Sequence, residues 1–498
     1  MGSTSFRGPE AFAEAMPYRL MPFHFTRFGS GKVLLTTPCG EFSVLNRSAF
    51  DDFVARRLAP ESPQYAELKS KYFLTHGPDP ATLRVAASQW RTKKSFLEGG
   101  PKLHIFVPTL RCNQSCGYCQ VSRANADAFG VDMTRETATQ AIELMLSAPA
   151  PAITMEFQGG EPLLAFDLVR FMVETSTRRA ACARKDLRFV ICTNLTLLSE
   201  EHLAFLRDYD VAVSTSLDGP GDLHDRNRPM TGAAAHAVVV RNMQRCQDVL
   251  GRGSVSALMT TTVHSLGRAH EIIDEYAARG QRSIFIRELN PYGYAAKSAR
   301  SIGYTVDEFA SFYAEALEYL FALNRQGLTI AEGYATMLLR KILTPFGVGF
   351  VDLQSPTGEG FGVVVYNYDG GVYASDEARM LAAMGDQSFR LGSVDDSYLN
   401  LFFGETMQCI AAAGCAEALP GCSECVYLPY CGADPIRHYR TQGDLIGNRP
   451  TSSFCKKQQA IFKILFGLLI DGPAETRNTL LSWVHPGRCA LPRPAWLS

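Results

Sequence analysis

The pattern of apolar and polar residues changes along this chain. Between residues 31 and 45, two short apolar runs flank Pro38-Cys39-Gly40, a pattern that predicts a β-hairpin. Helical spacing follows in Arg47 to Arg57 and in Pro63 to Tyr72. A hairpin followed by two helices predicts a small α+β unit, which we place at residues 1–100.

From Lys102 the pattern becomes a regular alternation of short β-rich runs and amphipathic helices. The six β-rich runs read LHIFV, ITMEF, FVICT, VAVSTSL, SVSALMTTTV and SIFIREL. Strands that alternate with helices predict a parallel sheet, here an α/β fold with a partial (β/α)6 TIM-type barrel over residues 101–330. Because such barrels carry their functional residues at the carboxyl ends of the strands, we expect the site where these runs end.

The remainder of the chain differs again. Residues 345–456 are rich in cysteine and include GEGFGVVVYNYDGGVYAS, which predicts a hairpin turned at Asp369-Gly370-Gly371. Residues 457–498 predict a helix followed by a proline-rich tail. The chain is therefore expected to contain an N-terminal cap, a barrel, a cysteine-rich domain and a C-terminal helix.

Composition narrows the classes of partner. A net charge of -1 provides no basic field, which argues against nucleic acid as a ligand. The longest apolar stretch, Ile461 to Ile470, contains Lys463 and is shorter than the roughly 20 residues that a bilayer requires. With no signal-peptide pattern, we expect a cytoplasmic protein that does not bind membranes. In that compartment the 14 cysteines are expected to be reduced, which favours metal ligation for those that cluster.

The peptide CNQSCGYC follows the first β-rich run and places Cys112, Cys116 and Cys119 on one loop. Three thiolates at this spacing can ligate three irons of a cubane and leave the fourth iron open. A zinc site is the alternative, although zinc usually takes four protein ligands. Because Tyr118 precedes the third cysteine, the peptide resembles the CxxxCΦC signature of the radical SAM superfamily, in which Φ is aromatic. The resemblance implies a [4Fe-4S] cluster that reductively cleaves S-adenosylmethionine (SAM), with Tyr118 beside it.

The segment FQGGEP begins at the last residue of the second β-rich run, ITMEF. It resembles the stretch of the radical SAM superfamily that holds the SAM amine. By this resemblance the SAM contacts are Gln158, Gly159, Gly160 and Glu161. Glycine lets the backbone approach a ligand, and the carboxylate of Glu161 suits an ammonium group. An ordinary glycine turn is the alternative for this segment.

Later strand ends carry further resemblances. ICTNLTLLS resembles the family's TNG stretch and makes Asn194, after Thr193, a SAM contact, although Leu195 stands where glycine is usual. VSTSLDGPGDLHDRNRP resembles the SxDGxxxxHDxxR segment of peptide-modifying members. The second match assigns the SAM ribose to Ser216 and its carboxylate to Arg228. Ile286, near the end of the sixth β-rich run, is the candidate that covers the adenine. Turn and capping roles remain open for Asp218, His224 and Asp225.

A second cysteine cluster lies in CSECVYLPYCGADP and, further on, SSFC. A CxxC pair, a third cysteine six residues on and a distant fourth can close four ligands around one metal centre, with zinc as the alternative. The spacing resembles the SPASM domain, an auxiliary iron-sulfur module of radical SAM peptide maturases. The resemblance implies one auxiliary [4Fe-4S] cluster, with the ligands Cys422, Cys425, Cys431 and Cys455.

Full SPASM domains use seven cysteines for two auxiliary clusters. In this chain Pro435 occupies one expected ligand position, and Ala374 and Ser375 stand where another ligand is expected. In the family pattern these losses fall on the same cluster, so we expect one auxiliary cluster. Cys409 and Cys415 remain candidate ligands of a nonstandard second site.

The order of these segments most resembles the His-Xaa-Ser system radical SAM maturases (HxsB-like). The N-terminal hairpin resembles a shortened PqqD-like recognition element for leader peptides, and a purely structural cap is the alternative. The resemblance implies an oxidoreductase-type enzyme that cross-links or oxidises a ribosomally synthesised peptide or small protein and takes electrons from flavodoxin or ferredoxin. A sulfatase-maturase-like dehydrogenase that makes formylglycine and a non-catalytic iron-sulfur protein are the alternatives. No catalytic acid or base stands out.

Overall fold

The computed structural model describes residues 18–29, 31–76 and 79–485. The first elements are β1 (Arg19–Leu20), β2 (His24–Phe28), β3 (Lys32–Thr36), β4 (Phe42–Asn46), α1 (Arg47–Val54), α2 (Pro63–Ser70), β5 (Leu74–Thr75) and α3 (Pro80–Lys94). Strands β2, β3 and β4 form an antiparallel sheet, and β1 pairs with β5. The predicted hairpin is β3–β4. Asn46 starts α1 by accepting a hydrogen bond from the Ala49 amide (2.8 Å).

The central strands are β6 (Leu103–Thr109), β7 (Arg111–Cys112), β8 (Ala124–Asn125), β9 (Ala152–Gly159), β10 (Asp186–Cys192), β11 (Val211–Ser216), β12 (Val255–Thr260), β13 (Ser283–Ile284) and β14 (Ile286–Arg287). The helices between them are α4 (Arg135–Leu146), α5 (Phe166–Ala183), α6 (Glu200–Asp208), α7 (Gly221–Asn227), α8 (Ala235–Leu250) and α9 (Ala269–Ala278). Strands β6, β9, β10, β11, β12 and β14 are neighbours in that order and are parallel. The predicted α/β fold with six parallel strands is confirmed.

The strands alternate between an apolar face and a polar face. In β9 the buried side chains are Ile153, Met155 and Phe157, which belong to the main hydrophobic core. The intervening residues Glu156 and Gln158 are only partly buried. A period of two therefore directs apolar side chains toward the helices and leaves polar side chains on the inner face of the sheet.

The remaining elements are α10 (Gly293–Ile302), α11 (Val306–Arg325), β15 (Ala331–Glu332), α12 (Gly333–Leu343), β16 (Val363–Tyr366), β17 (Gly371–Tyr373), α13 (Asp376–Ala383), β18 (Arg390–Ser393), α14 (Tyr398–Phe403), α15 (Glu405–Ala413), α16 (Pro435–Gln442), α17 (Ser453–Asp471) and α18 (Ala474–Val484). The predicted hairpin at Asp369-Gly370-Gly371 is β16–β17. Within the described ranges, none of the helices combines the length and apolar character needed to cross a membrane. The predicted proline-rich tail, from 486, lies outside the described residues.

Two features of the sheet were not predicted. Strand β16 pairs in parallel with β6, so the hairpin that opens the cysteine-rich segment, together with β18, extends the barrel sheet to nine strands. The sixth β-rich run is divided at Phe285, because β14 pairs with β12 whereas β13 pairs with β15. Both arise from pairings between residues that are distant in sequence, which local patterns do not record.

Candidate functional site

The segment that carries Cys112, Cys116 and Cys119, which we call the cysteine loop, leaves the carboxyl end of β6. Cys112, Cys116 and Cys119 are all partly buried. Their thiols are close enough to interact electrostatically, since Cys112 and Cys119 both act on Cys116. Burial raises the pKa of Cys112 to about 11 and that of Cys116 to about 12. Bound iron would reverse this preference for the neutral thiol, because a coordinating cysteine is deprotonated. The three thiols therefore suit a shared cluster.

Gly159 and Gly160 let the end of β9 approach the cysteine loop closely. A Cβ atom on Gly160 would lie 2.1 Å from the Arg111 carbonyl oxygen, and one on Gly159, whose φ is +123°, 2.4 Å from that of Thr109. The Glu161 amide also donates to the Arg111 carbonyl (2.7 Å). The sequence predicts that these glycines let the backbone approach a ligand. In the structure they also let the end of β9 approach the backbone of the cysteine loop.

Glu161 is fully buried and joins the ends of two strands. Its carboxylate accepts hydrogen bonds from the Thr193 hydroxyl (2.7 Å), the Asn194 amide (2.7 Å) and the Leu163 amide (3.0 Å). Burial raises the pKa of Glu161, whereas these donors oppose the rise. Asn194 in turn donates to the side chain of Asn113, a neighbour of Cys112 (2.9 Å). The structure thus links FQGGEP, the third strand end and the cysteine loop.

Leu195, which stands where the TNG stretch has glycine, adopts a backbone conformation that favours glycine. Its φ is +58°, in the left-handed region, which costs about 1–2 kcal/mol for a residue with a Cβ. The conformation is held by two hydrogen bonds, from the Leu195 amide to Thr193 (3.0 Å) and from Asn242 to the Leu195 carbonyl (2.7 Å). The side chain is fully buried in the core. Leu195 therefore keeps the backbone geometry that glycine would adopt more easily.

Arg228 lies beside the cysteine loop and forms a buried ion pair. Its Nε donates to Asp218 (3.2 Å), which also accepts from the Tyr118 hydroxyl (2.5 Å) and the Thr260 amide (3.2 Å). The guanidinium carbon lies 5.1 Å from the centre of the Tyr118 ring, a cation–π contact. Burial alone would lower the pKa of Arg228, but Asp218, Tyr118 and Cys116 outweigh it and raise the pKa. Asp218 and Tyr118 therefore hold Arg228, while its two terminal nitrogens make no hydrogen bond in the described structure.

Replacing Asp218 by asparagine should destabilise the fold because it leaves Arg228 buried without its counter-charge. We expect a loss of about 3–5 kcal/mol in the free energy of unfolding. Urea denaturation at pH 7 measures it, with Asp222→Asn as the control. Asp222 pairs with Arg268 at the surface, and its side chain is 71% exposed, so that change should cost less than about 1 kcal/mol. Equal losses for the two variants would contradict a structural role for the buried pair.

His224 completes the surroundings of Asp218. Its Nδ1 accepts a hydrogen bond from the Asp218 amide (3.3 Å), and burial lowers its pKa to about 4. The ring is therefore neutral at pH 7 with its proton on Nε2, which has no partner in the described structure. Asp225 accepts from the His236 amide (2.7 Å), which is a capping role.

The other predicted SAM contacts occupy strand ends in the same sheet. Ser216 ends β11 and Gln158 lies near the end of β9, where its amide donates to Glu156 (2.6 Å). Ile286 is 4% exposed and packs in the main core, and its amide donates to Glu332 (3.1 Å). Ser216 and Gln158 are thus more accessible to a ligand than Ile286.

The four cysteines of the second cluster line one cavity. Cys422, Cys425, Cys431 and Cys455 all contribute to its wall, together with aromatic and aliphatic side chains. The other three thiols act electrostatically on Cys431 and, after burial, contribute to raising its pKa. Burial also raises the pKa of Cys425 to about 11. The first turn of α17 brings Cys455, the most distant in sequence, to the other three.

Buried donors without partners surround the same cavity. Arg449 is 7% exposed and lines it, yet its Nε and Nη2 make no hydrogen bond in the part of the chain described. The amide nitrogen of Gln458 is likewise unpartnered. An anionic cluster would offset the cost of leaving these donors unsatisfied. The zinc alternative requires ligands that converge on one ion, and no three His, Cys, Asp or Glu side chains in the described ranges do so.

Cys409 and Cys415, the candidate ligands of a nonstandard second site, have different surroundings. Cys409 is exposed on α15, whereas Cys415 donates to Glu417 (3.6 Å) outside that helix. Where other ligands were expected, Ser375 caps α13 and donates to Glu359 (3.0 Å), and Pro435 is the first residue of α16. Side chains other than thiols therefore occupy these ligand positions.

Two residues near these sites were not predicted from the sequence. Arg449 is one of many arginines, and its place between the third and fourth cysteines of the second cluster is the local signal that could have marked it. Cys192 belongs to neither cysteine cluster of the sequence, yet it ends β10, and its pKa is raised chiefly by burial and then by Glu156. Long-range packing, which no local pattern records, produces both settings.

Comparison with known proteins agrees with this geometry. Residues 106–275 match the family described as the radical SAM superfamily. The cysteine-type anaerobic sulfatase-maturating enzyme of Clostridium perfringens is 22% identical over 372 residues, which cover 72% of this chain and 95% of that enzyme. An uncharacterized protein of Archaeoglobus fulgidus is 25% identical over 70% of this chain and 78% of its own length.

Solved structures share the fold at low identity. The anaerobic sulfatase maturase anSMEcpe with bound AdoMet superposes with a TM-score of 0.62 at 17% identity, covering 74% of this chain and 98% of that one. Streptococcus suis SuiB bound to its precursor peptide SuiA gives a TM-score of 0.52 at 13% identity and covers 88% and 99% of the two chains. The chain therefore contains a radical SAM domain, a family whose cofactors are a [4Fe-4S] cluster and SAM.

Proposed function

We propose that this chain is a radical SAM maturase that cross-links or oxidises a ribosomally synthesised peptide or small protein. The observation that supports this most is the closure of the cysteine-rich segment over the cysteine loop. Arg379 of α13 donates to the Val121 carbonyl (3.4 Å), two residues beyond Cys119. A cavity lined by four cysteines lies in that same segment. An auxiliary cluster beside a radical-generating centre suits modification of a peptide held between them.

In this proposal the chain's residues divide the work of holding the cofactors. Cys112, Cys116 and Cys119 hold three irons of the first cluster, and the auxiliary ligands are Cys422, Cys425, Cys431 and Cys455. The two terminal nitrogens of Arg228 would donate charge-assisted hydrogen bonds to the carboxylate of bound SAM. The other SAM contacts are Tyr118, Gln158, Gly159, Gly160, Glu161, Asn194, Ser216 and Ile286. With both groups bound, the site supplies a 5′-deoxyadenosyl radical that abstracts hydrogen from an unactivated carbon. Flavodoxin or ferredoxin is the expected electron donor.

The N-terminal sheet offers a place for the peptide. Strand β2 is at one edge of the three-stranded sheet, and Phe25 on it is 55% exposed. A groove of about 580 Å³ runs between β2 and residues 421–427 of the second cysteine cluster, with Glu424 and Cys425 in its wall. An extended peptide can add to such an edge through backbone hydrogen bonds. We therefore expect the leader part of the substrate to bind along β2.

Replacing Phe25 by aspartate should weaken substrate binding while leaving SAM cleavage unchanged. The change removes an exposed apolar contact of the groove and adds a charge next to Glu424, so we expect affinity to fall at least about tenfold. Fluorescence anisotropy of a labelled precursor peptide measures it. Leu399→Asp, which alters a residue 66% exposed on α14, serves as the control. Equal affinity for the Phe25 and Leu399 variants would contradict the β2 edge as the binding site.

A formylglycine-generating maturase is the second candidate. The match along 95% of the Clostridium perfringens sulfatase maturase favours it. The side chains at Ala374, Ser375 and Pro435 argue against it, because they remove expected ligands of a second auxiliary cluster. The chain therefore offers one complete four-cysteine set in this segment, where such maturases are expected to have two.

Mass spectrometry of peptides after turnover separates the candidates. The anaerobically reconstituted chain, SAM and dithionite are incubated with a short precursor peptide encoded beside it, and separately with an 18-residue sulfatase peptide containing cysteine. The proposal predicts a mass change in the precursor alone. Conversion of the sulfatase cysteine to an aldehyde, with an unchanged precursor, would favour the second candidate instead.

A further inference from the structure

Four carboxyl groups lie at the junction of the barrel and the cysteine-rich segment, and we call them the acid cluster. They belong to Asp352, Glu359, Glu377 and Asp434. Glu359 is 2% exposed and Asp434 is 5% exposed, whereas Asp352 and Glu377 are partly accessible. Asp352, Glu377 and Asp434 all act electrostatically on Glu359, and burial is the largest cause of the raised pKa in all four carboxyls. The acid cluster is therefore a compact set of buried carboxyls, and burial favours their neutral form until a positive charge binds beside them.

No cation in the described structure forms an ion pair with the acid cluster. Arg437 makes two hydrogen bonds to Glu288 (2.6 and 3.1 Å), and Lys457 pairs with the same carboxylate. Arg379 pairs with Asp376 (2.9 Å). Lys457, Arg437 and Arg287 all lower the pKa of Asp352, and Arg287 also lowers that of Glu377, yet none of the three pairs with the acid cluster in the described structure. Because Lys457 and Arg437 share Glu288, these three cations face five carboxyls, so the carboxyls outnumber the cations that could balance their ionised forms.

One further polar group beside the acid cluster lacks a partner. The hydroxyl of Tyr292 is fully buried and makes no hydrogen bond in the described residues, although Asp434, Glu377 and Glu359 all act on it electrostatically. Buried polar atoms are nearly always hydrogen-bonded, so this hydroxyl points to a ligand that forms a hydrogen bond with it.

The position of the acid cluster connects it to the proposed radical centre. Tyr292 immediately precedes Gly293, whose Cβ would lie 2.8 Å from the Cys119 carbonyl oxygen, and the Tyr294 amide donates to that oxygen (2.7 Å). Glu359 accepts from Ser375, and Asp434 precedes Pro435, two of the positions where ligands of a second auxiliary cluster were expected. Carboxyls therefore take the place of that cluster next to the cysteine loop.

We propose that the acid cluster and Tyr292 bind a positively charged side chain of the substrate, an amine or a guanidinium. This inference rests on the proposed function and adds the class of residue that the site selects. The ligand should donate several hydrogen bonds and carry positive charge, which lysine and arginine side chains do. A metal ion fits less well, because no three acidic, histidine or cysteine side chains in the described ranges converge around one ion position. A cation held here would fix a neighbouring residue of the peptide near the cysteine loop.

Binding of capped amino acids tests the inference without turnover. The probes are the N-acetyl methylamides of lysine, arginine, norleucine and glutamate, titrated by saturation-transfer NMR into the reconstituted, SAM-loaded protein without reductant. We expect lysine or arginine to bind at least about tenfold more tightly than norleucine, with no detectable binding of glutamate. The stronger of the two cations identifies an amine or a guanidinium site.

Variants assign the preference to the acid cluster. Glu377→Gln should reduce the ratio of norleucine to cation dissociation constants to below about three, and Tyr292→Phe should reduce it by a smaller factor. Glu318→Gln, on the exposed part of α11, should keep the full ratio. Cluster absorbance and SAM affinity show which variants are folded. Equal binding of norleucine and both cations, or a preference that survives Glu377→Gln, would overturn the inference. Absence of 5′-deoxyadenosine after reduction would instead count against the proposed function.

Discussion

Replacing Cys116 by alanine is expected to abolish the formation of 5′-deoxyadenosine from SAM. Cys116 is the middle cysteine of the loop after β6, and its thiol interacts electrostatically with Cys112, Cys119 and Arg228. Its loss leaves two thiols, too few to hold a cubane with one open iron. We expect the rate to fall by at least about a hundredfold, because the cofactors carry the chemistry. Liquid chromatography of anaerobic reactions with dithionite measures the product.

Cys182→Ala is the matched control for this change. Cys182 is exposed near the end of α5 and belongs to neither cysteine group, so its loss should leave the rate and the iron content unchanged. A Cys116→Ala variant that still forms 5′-deoxyadenosine at the parent rate would contradict the role assigned to the loop.

Replacing Cys431 by alanine should separate the two clusters. Cys431 interacts with all three of its partner thiols, so we expect the iron content to fall from about eight to about four per chain. The cysteine loop is untouched, and 5′-deoxyadenosine should still form. The modified peptide should disappear, because the auxiliary cluster is expected to accept the leftover electron or bind the peptide. Iron analysis and peptide mass spectrometry measure these outcomes.

Cys409→Ala is the control for the second prediction and also tests the nonstandard second site. Cys409 is exposed on α15, and its loss should leave about eight irons per chain. About twelve irons in the parent chain, with a loss in the Cys409 variant, would contradict a single auxiliary cluster. Unchanged iron content in Cys431→Ala would contradict its assignment as a ligand.

The parallel sheet could be predicted because its signal is local. Ile153, Met155 and Phe157 alternate with less buried residues along β9, and β11 and β12 show the same alternation of burial, whereas β6 is buried along nearly its whole length. The cysteine spacings are local as well. The parallel pairing of β16 with β6 was not predictable, because it joins residues about 260 positions apart.

Parts of the site were predicted by residue but not by arrangement. Arg228 was assigned to SAM from its place in a sequence segment, and the structure adds that Asp218 and Tyr118 hold it. The acid cluster had no sequence signal at all. Its members come from three separate segments, and single acidic residues are ordinary in any chain. Only the fold brings their charges together.

Reductive cleavage of SAM by the parent chain is the direct test of a radical-generating cluster. The chain is reconstituted anaerobically, its iron is counted, and SAM and dithionite are added. We expect 5′-deoxyadenosine and methionine in equal amounts from protein that holds about eight irons. Protein that is fully loaded with iron and binds SAM, yet yields no 5′-deoxyadenosine, would contradict this expectation.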